Sequence, residues 1–195
     1  MTYISYLPHP PAKTLVDGDL ELSLPSPADA PALAACGADP VLLEGIWVSG
    51  SPPAGDPYVW ACARIEEFLS GWRPPGRPHG ATLAIRERDR LVGFVYMSRR
   101  EGCALELAYG IAPPERGRGL ATRAALLATS WALEGGGFDR VLLYVHEDHR
   151  AGHRVAAKAG FRQIERVVSR IEHTAETFVQ VVYVRTRKRD DFDST

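Results

Sequence analysis

The chain has almost no net charge: 23 Lys and Arg against 24 Asp and Glu leave −1. No overall field draws it to nucleic acid or to a membrane surface, so any handling of phosphate has to be local. Cysteine is scarce. Cys36, Cys62 and Cys103 are odd in number and widely spaced. No two of them have zinc-ligand spacing and they do not make a disulfide framework, so they read as small buried hydrophobes. No window approaches the roughly 18 apolar residues of a membrane span. Residues 1–17 lack the basic start and apolar centre of a signal peptide, so the cytoplasm is the expected location. Internal repeats and low-complexity segments are missing too. What remains is 195 residues at 45% hydrophobic content, about one domain, with enough apolar surface for a core without staples.

Residues 1–18 carry three prolines and little periodicity, and read as an arm. Residues 19–187 read as one domain, and the charged residues 188–195 as a tail. Leu20 to Leu24 alternates as a strand does. Ser26-Pro27-Ala28-Asp29 is a helix start, with Ser26 as N-cap and Pro27 in the first position. Residues 40–80 hold seven prolines and three of the four tryptophans, Trp47, Trp60 and Trp72. A helix from Tyr58 to Ser70 fits the spacing of Ala61, Ile65, Phe68 and Leu69. The tryptophans read two ways: as packing for that helix, or as walls of a substrate mouth on proline-rich loops.

From residue 81 the pattern is regular. Strands are expected at 82–85, 91–97 and 104–111, then a helix from Gly117 to Leu133 whose core face is Leu120, Ala124, Leu127 and Trp131. Gly135-Gly136-Gly137 stops it. Val141 to Val145 is a continuous apolar run, as in a strand buried on both faces. A helix over 150–159 and two strands near 161–171 and 177–187 complete a mixed α/β domain.

The stretch from Glu106 to Phe161 carries the function. A strand ends in Tyr109-Gly110-Ile111, and the turn Arg116-Gly117-Arg118-Gly119-Leu120-Ala121-Thr122 opens a helix. Unpaired N–H groups and the positive end of a helix dipole meet there, which is how phosphate is bound. The lysine and Ser/Thr of a P-loop are absent. A dinucleotide fingerprint would need a third glycine where Thr122 stands and a tighter turn than Pro113-Pro114 allows.

Arg116-x-x-Gly119-x-Ala121 resembles the acyl-CoA pyrophosphate loop of the GNAT acetyltransferases, Gln/Arg-x-x-Gly-x-Gly/Ala. Tyr109-Gly110-Ile111-x-Pro113 before it, and Arg154-Val155-Ala156-x-Lys158-x-Gly160-Phe161 after it, look like the RimJ/RimL-type subgroup. So do Leu15-Val16-Asp17-Gly18-Asp19-Leu20 and Pro27-x-Asp29-Ala30. The resemblance runs over residues 14–187 and is weakest at 42–80. It implies a mostly antiparallel sheet with flanking helices and a splayed strand pair holding acetyl-CoA or another acyl-CoA. It implies contacts from Ile111, Ala112, Arg116, Gly117, Arg118, Gly119, Leu120, Ala121 and Thr122. Ile111 and Ala112 would pair with the pantetheine arm as an added strand. The other partner would be an amine acceptor: a protein N-terminus, a metabolite or an antibiotic. A homodimer is compatible with this reading, and no metal is implied.

N-acyl transfer by direct attack needs a neutral amine, an acyl carbonyl held in line and a proton for the leaving thiolate. Glu106 and Glu172 are the candidate bases. Glu106 lies among apolar strand residues, where burial would raise its pKa; its other reading is a strand residue facing solvent. Glu172 lies one residue out of register with the base that the resemblance implies, and reads otherwise as a surface residue. Many relatives carry Asn-x-x-Ser where this chain has His149 and Gly152. Others carry a tyrosine as general acid where it has Ala156. His149 is then the candidate proton donor, or else a solvated helix-start residue. His146, His149 and His153 also allow a zinc reading, which no accompanying pattern supports. Trp47, Trp60, Trp72 and Tyr109 are the candidate acceptor-site residues. The alternative to an enzyme is an acyl-CoA-binding module that has lost its chemistry along with that donor.

Overall fold

In the computed structural model, which describes residues 10–35, 39, 56–70, 81–170 and 177–187, the chain is organised on one eight-stranded sheet. Cys36, Trp47, Trp72, Glu172 and the tail 188–195 lie outside the described residues. The strands are β1 (Leu15–Asp17), β2 (Leu20–Ser23), β3 (Ala81–Glu87), β4 (Arg90–Arg100), β5 (Ala104–Ile111), β6 (Arg140–His146), β7 (Arg162–Arg170) and β8 (Thr177–Thr186). Their order is β1-β2-β3-β4-β5-β6-β8-β7. Every neighbouring pair is antiparallel except β5 with β6. A parallel pair needs a crossover, and here a helix supplies it.

Two helices, α1 (Ala30–Ala35) and α2 (Pro57–Ser70), cover one face; α3 (Leu120–Glu134) and α4 (Arg150–Lys158) cover the other. On the α1/α2 side Leu33, Trp60, Ile65 and Phe68 pack on Ala84 and Phe94. On the α3/α4 side Leu105, Leu107 and Ile111 of β5 and Val141, Leu143 and Val145 of β6 pack under both helices. The alternation within β5 decides this: odd residues face α3, even residues face the α2 side.

Three expectations change. Leu15–Asp17, read as part of the arm, pairs with Leu20–Leu22 as an edge strand. Three residues are too few to show periodicity, and the pairing is secured from outside: Asp17 accepts a 2.7 Å bond from Arg123 Nε on α3. The buried stripe of α3 is Leu120, Ala124, Ala125, Ala128, Ala132 and Leu133, with Leu127 and Trp131 at its margin. Small side chains let the helix lie close to the sheet, so the alanines, not the bulkiest residues, mark its core face. Cys103 is exposed and Cys62 half-buried. Cys103 sits in the three-residue β4–β5 turn at φ +52°, where no core reaches it.

Candidate active site

Strands β5 and β6 pair at three rungs only: Ala104 with Arg140, Leu105 with Val141, and Glu106 with Leu142. Beyond Glu106 they part, although β5 continues to Ile111 and β6 to His146. A wedge-shaped seam is left with Glu106 at its vertex. On the far side of β5, the Ala112 N–H donates to the Val92 carbonyl at 2.9 Å. Antiparallel pairs alternate, so the even residues of β5 exchange bonds with β4. The Leu107 N–H closes the last β5–β6 rung, and beyond it the Leu107 C=O and the N–H and C=O groups of Tyr109 and Ile111 turn into the seam. The Ile111 carbonyl accepts a 3.0 Å bond from Arg116 Nε. Of the two expected backbone contacts, Ile111 therefore faces the seam, whereas the Ala112 N–H is used within the sheet.

The turn at the seam's open end has the expected form. Gly117 and Gly119 both adopt φ +81°, and nothing lies within 4 Å of where a Cβ would stand at either. Gly119 caps α3, and its carbonyl accepts from Thr122 and Arg123 N–H at 3.1 and 3.2 Å. The N–H groups of Leu120 and Ala121 precede the first intrahelical bonds and have no acceptor within the helix. The two arginines of the turn have partners within the protein. Arg118 is held by both oxygens of Glu87 at 2.9 and 2.8 Å and by Glu115 at 2.5 Å. Arg116 is tied to Asp39 as well as to Ile111. Both brace the turn from within the protein.

At the vertex, Glu106 is 2% exposed, which rules out the solvent-facing reading. Burial raises its pKa, opposed by the charge of Arg100 and the hydrogen bond from it. Arg100, at the end of β4, donates to Glu106 Oε2 through Nε and also contacts it through Nη2. Neighbours on that face are Ser98 and Tyr96 of β4, opposite Glu106 and Ala108, and Tyr144 of β6. Beside Glu106, β5 presents only Ala104, Ala108 and Gly110 on this side.

Tyr109 projects the other way, toward α3, and burial raises its pKa out of reach of neutral chemistry. Trp60 is 8% exposed and belongs to the α1/α2 core, which favours the packing reading for it. His149 caps α4. A Cβ at Gly152 would stand 3.0 Å from His149 Nδ1 and 2.7 Å from Val145 Cγ1. The two departures from Asn-x-x-Ser are thus linked: an imidazole occupies the space a side chain at 152 would need. His153 bonds Tyr183 OH at 2.8 Å and the Glu147 carbonyl at 2.9 Å, and His146 stacks on Phe178. The three histidines diverge, and among the described residues no group of three His, Cys, Asp or Glu converges on a metal position. Arg100 and Tyr144 are the neighbours of Glu106 that sequence reasoning missed. The signal was the tight turn Glu101-Gly102-Cys103, whose hairpin sets Arg100 diagonal to Glu106.

A seam between parallel strands, a glycine turn at a helix start beside it and a buried carboxylate at its vertex define an acyl-CoA-dependent transferase. The acetyltransferase (GNAT) domain family matches residues 19–162, and the chain belongs to that family. Its fold is that of solved members. The acetyltransferase (GNAT family) from Bacillus anthracis superposes with TM-score 0.72 at 15% identity, over 91% of this chain and 100% of its own. Mycobacterium smegmatis RimJ, in complex with CoA-disulfide, gives 0.69 at 18%, over 86% and 81%. An acetyl transferase from Salmonella typhimurium that modifies the N-terminal serine of a 50S ribosomal subunit protein gives 0.70 at 13%, over 89% and 99%. No curated protein matches the sequence.

Proposed function

We propose that the protein transfers the acetyl group of acetyl-CoA to a primary amine by direct attack, with Glu106 as general base. One observation carries this: the seam ends at Glu106, the buried carboxylate of its vertex. The pantetheine arm would lie along Leu107, Tyr109 and Ile111 as an extra strand. The pyrophosphate would rest on the N–H groups from Gly117 to Ala121, which brings the thioester toward the vertex. The amine enters from the α2 side over Ala108 and Gly110. Its nitrogen bonds the acyl carbon, the C–S bond breaks, and the amine's proton passes to Glu106. His149 is the candidate donor for the thiolate. Glu172 remains a second candidate base, and Trp47 and Trp72 remain candidate acceptor contacts.

The likeness to RimJ and to an enzyme acting on an N-terminal serine makes protein N-termini the first acceptor class to try. Release of CoA thiol is measured over N-terminal peptides, amino-acid-like metabolites and aminoglycosides. Turnover with one class is expected. Acetyl-CoA binding with no turnover on any of the three supports the binding-module alternative that the replaced proton donors motivate.

A further inference from the structure

We infer that Arg100 is a positioning residue of the transfer: it holds one oxygen of the Glu106 carboxylate and leaves the other to the acceptor. This deepens the assignment of Glu106 as base and rests on it. Both contacting nitrogens of Arg100, Nε and Nη2, meet the same atom, Oε2. Oε1 has no partner among the described residues. A carboxylate gripped at one oxygen cannot rotate, and its other oxygen keeps a fixed direction. Arg100 is itself held: its guanidinium carbon lies 6.0 Å from the centre of the Tyr144 ring, a cation–π distance, and Tyr144 stands two residues beyond the last β5–β6 rung. A planar guanidinium suits this double role as an ammonium would not.

Among the described residues, the charged and titratable groups on the face of Glu106 come from β4, from β6 and from α2, which carries Cys62, Arg64, Glu66 and Glu67. From β4 there are Arg100 and Tyr96; Ser98, directly opposite Glu106, is neutral. From β6 there are the exposed Arg140, Tyr144 and, farther along, the exposed His146. The residues α3 buries against the sheet are uncharged, and they lie on the other face. Arg100 is the cation whose charge and hydrogen bond lower the pKa of Glu106. Without it the carboxylate would hold its proton to higher pH and would be free to turn.

The test is the pH profile of kcat/KM, with acetyl-CoA affinity and the unfolding temperature followed in parallel. In Arg100→Met the acid limb should move up by about 1–3 in pH, since that is the effect of a close opposite charge on a carboxylate. Acetyl-CoA affinity should not change. Arg100→Lys should keep the limb near its original place but lose about tenfold or more in kcat, because a point charge does not fix the carboxylate's direction. A folded Arg100→Met whose limb has not moved overturns the proposal. If Arg100→Met does not fold, Arg100→Lys decides: full kcat in that variant overturns it, and a selective loss of kcat supports it. Glu106→Gln separates the two readings. Unchanged turnover there removes the base assignment itself, whereas lost turnover beside an unmoved limb in Arg100→Met removes only the role of Arg100.

Discussion

Glu106 is caught between two opposing effects. Burial favours its neutral form and the paired guanidinium favours its ionised form. Burial is the larger effect, so the pKa of Glu106 is raised. A base works when deprotonated, so kcat/KM should rise with pH through the raised pKa and fall away below it. Glu106→Gln should remove that acid limb and lower kcat by about 10²–10⁴-fold, the usual worth of a positioned acid–base group, with acetyl-CoA affinity intact. Steady-state kinetics beside a binding titration checks both halves. Gly119 makes the complementary case. Its φ of +81° and the open space where a Cβ would stand belong to one requirement, close approach of backbone to an anion. Gly119→Val would hold that φ at a cost of about 1–2 kcal/mol and fill the approach. Acetyl-CoA affinity should drop at least tenfold in a protein that still folds. Unchanged affinity in the folded variant would place the pyrophosphate elsewhere.

At the scale of elements, the site is made by two strands that stop pairing and a helix that begins where one of them ends. Much of that was legible in the sequence. Alternation in Ala104–Ile111 gives the strand and its two faces, and the glycines of 117 and 119 give the turn that opens α3. The seam itself was not legible as spacing. Where β5 and β6 part is fixed by tertiary packing under α3 and α4, and only the family resemblance pointed to it. The bracing of Arg116 and Arg118 was hidden for the same reason: their partners Asp39, Glu87 and Glu115 are set by the fold, with Asp39 and Glu87 far off in sequence. Trp60 is the instructive ambiguity. Composition alone allows a wall or a core, and the α2 packing against Leu33, Ile65 and Phe68 favours the core. Trp60→Ala should cost about 3–5 kcal/mol of stability, as truncation of a buried aromatic does. It should leave the acceptor KM near its original value at temperatures where the protein stays folded. A raised KM without lost stability would return Trp60 to the acceptor site.

At the scale of the whole molecule, the seam divides the sheet. Strands β1 to β5 form one part, β6, β8 and β7 the other, and three rungs of β5–β6 pairing join them. Contacts of α3 with both β5 and β6, and of α3 with α4, hold the parts from the side. A ligand arm that hydrogen-bonds along β5 would fill the wedge and add attachment that the chain alone lacks. Anything that binds only the folded state stabilises it by mass action, about 2.7 kcal/mol at a hundredfold excess over its dissociation constant. For a chain of 195 residues that corresponds to a rise in Tm of roughly 5–10 °C. The effect should also be local. The amides of Tyr109 and Ile111, directed into the seam, should exchange with solvent faster than those of Ala108 and Gly110, which bond to β4. Acetyl-CoA should slow the first set and leave the second nearly unchanged. Hydrogen exchange resolved along β5, with and without acetyl-CoA, reads both sets in one experiment. Equal protection of the two sets in the free protein, or a Tm unmoved by saturating acetyl-CoA, would mean that the seam is closed by the chain itself and that the cosubstrate does not bind along β5.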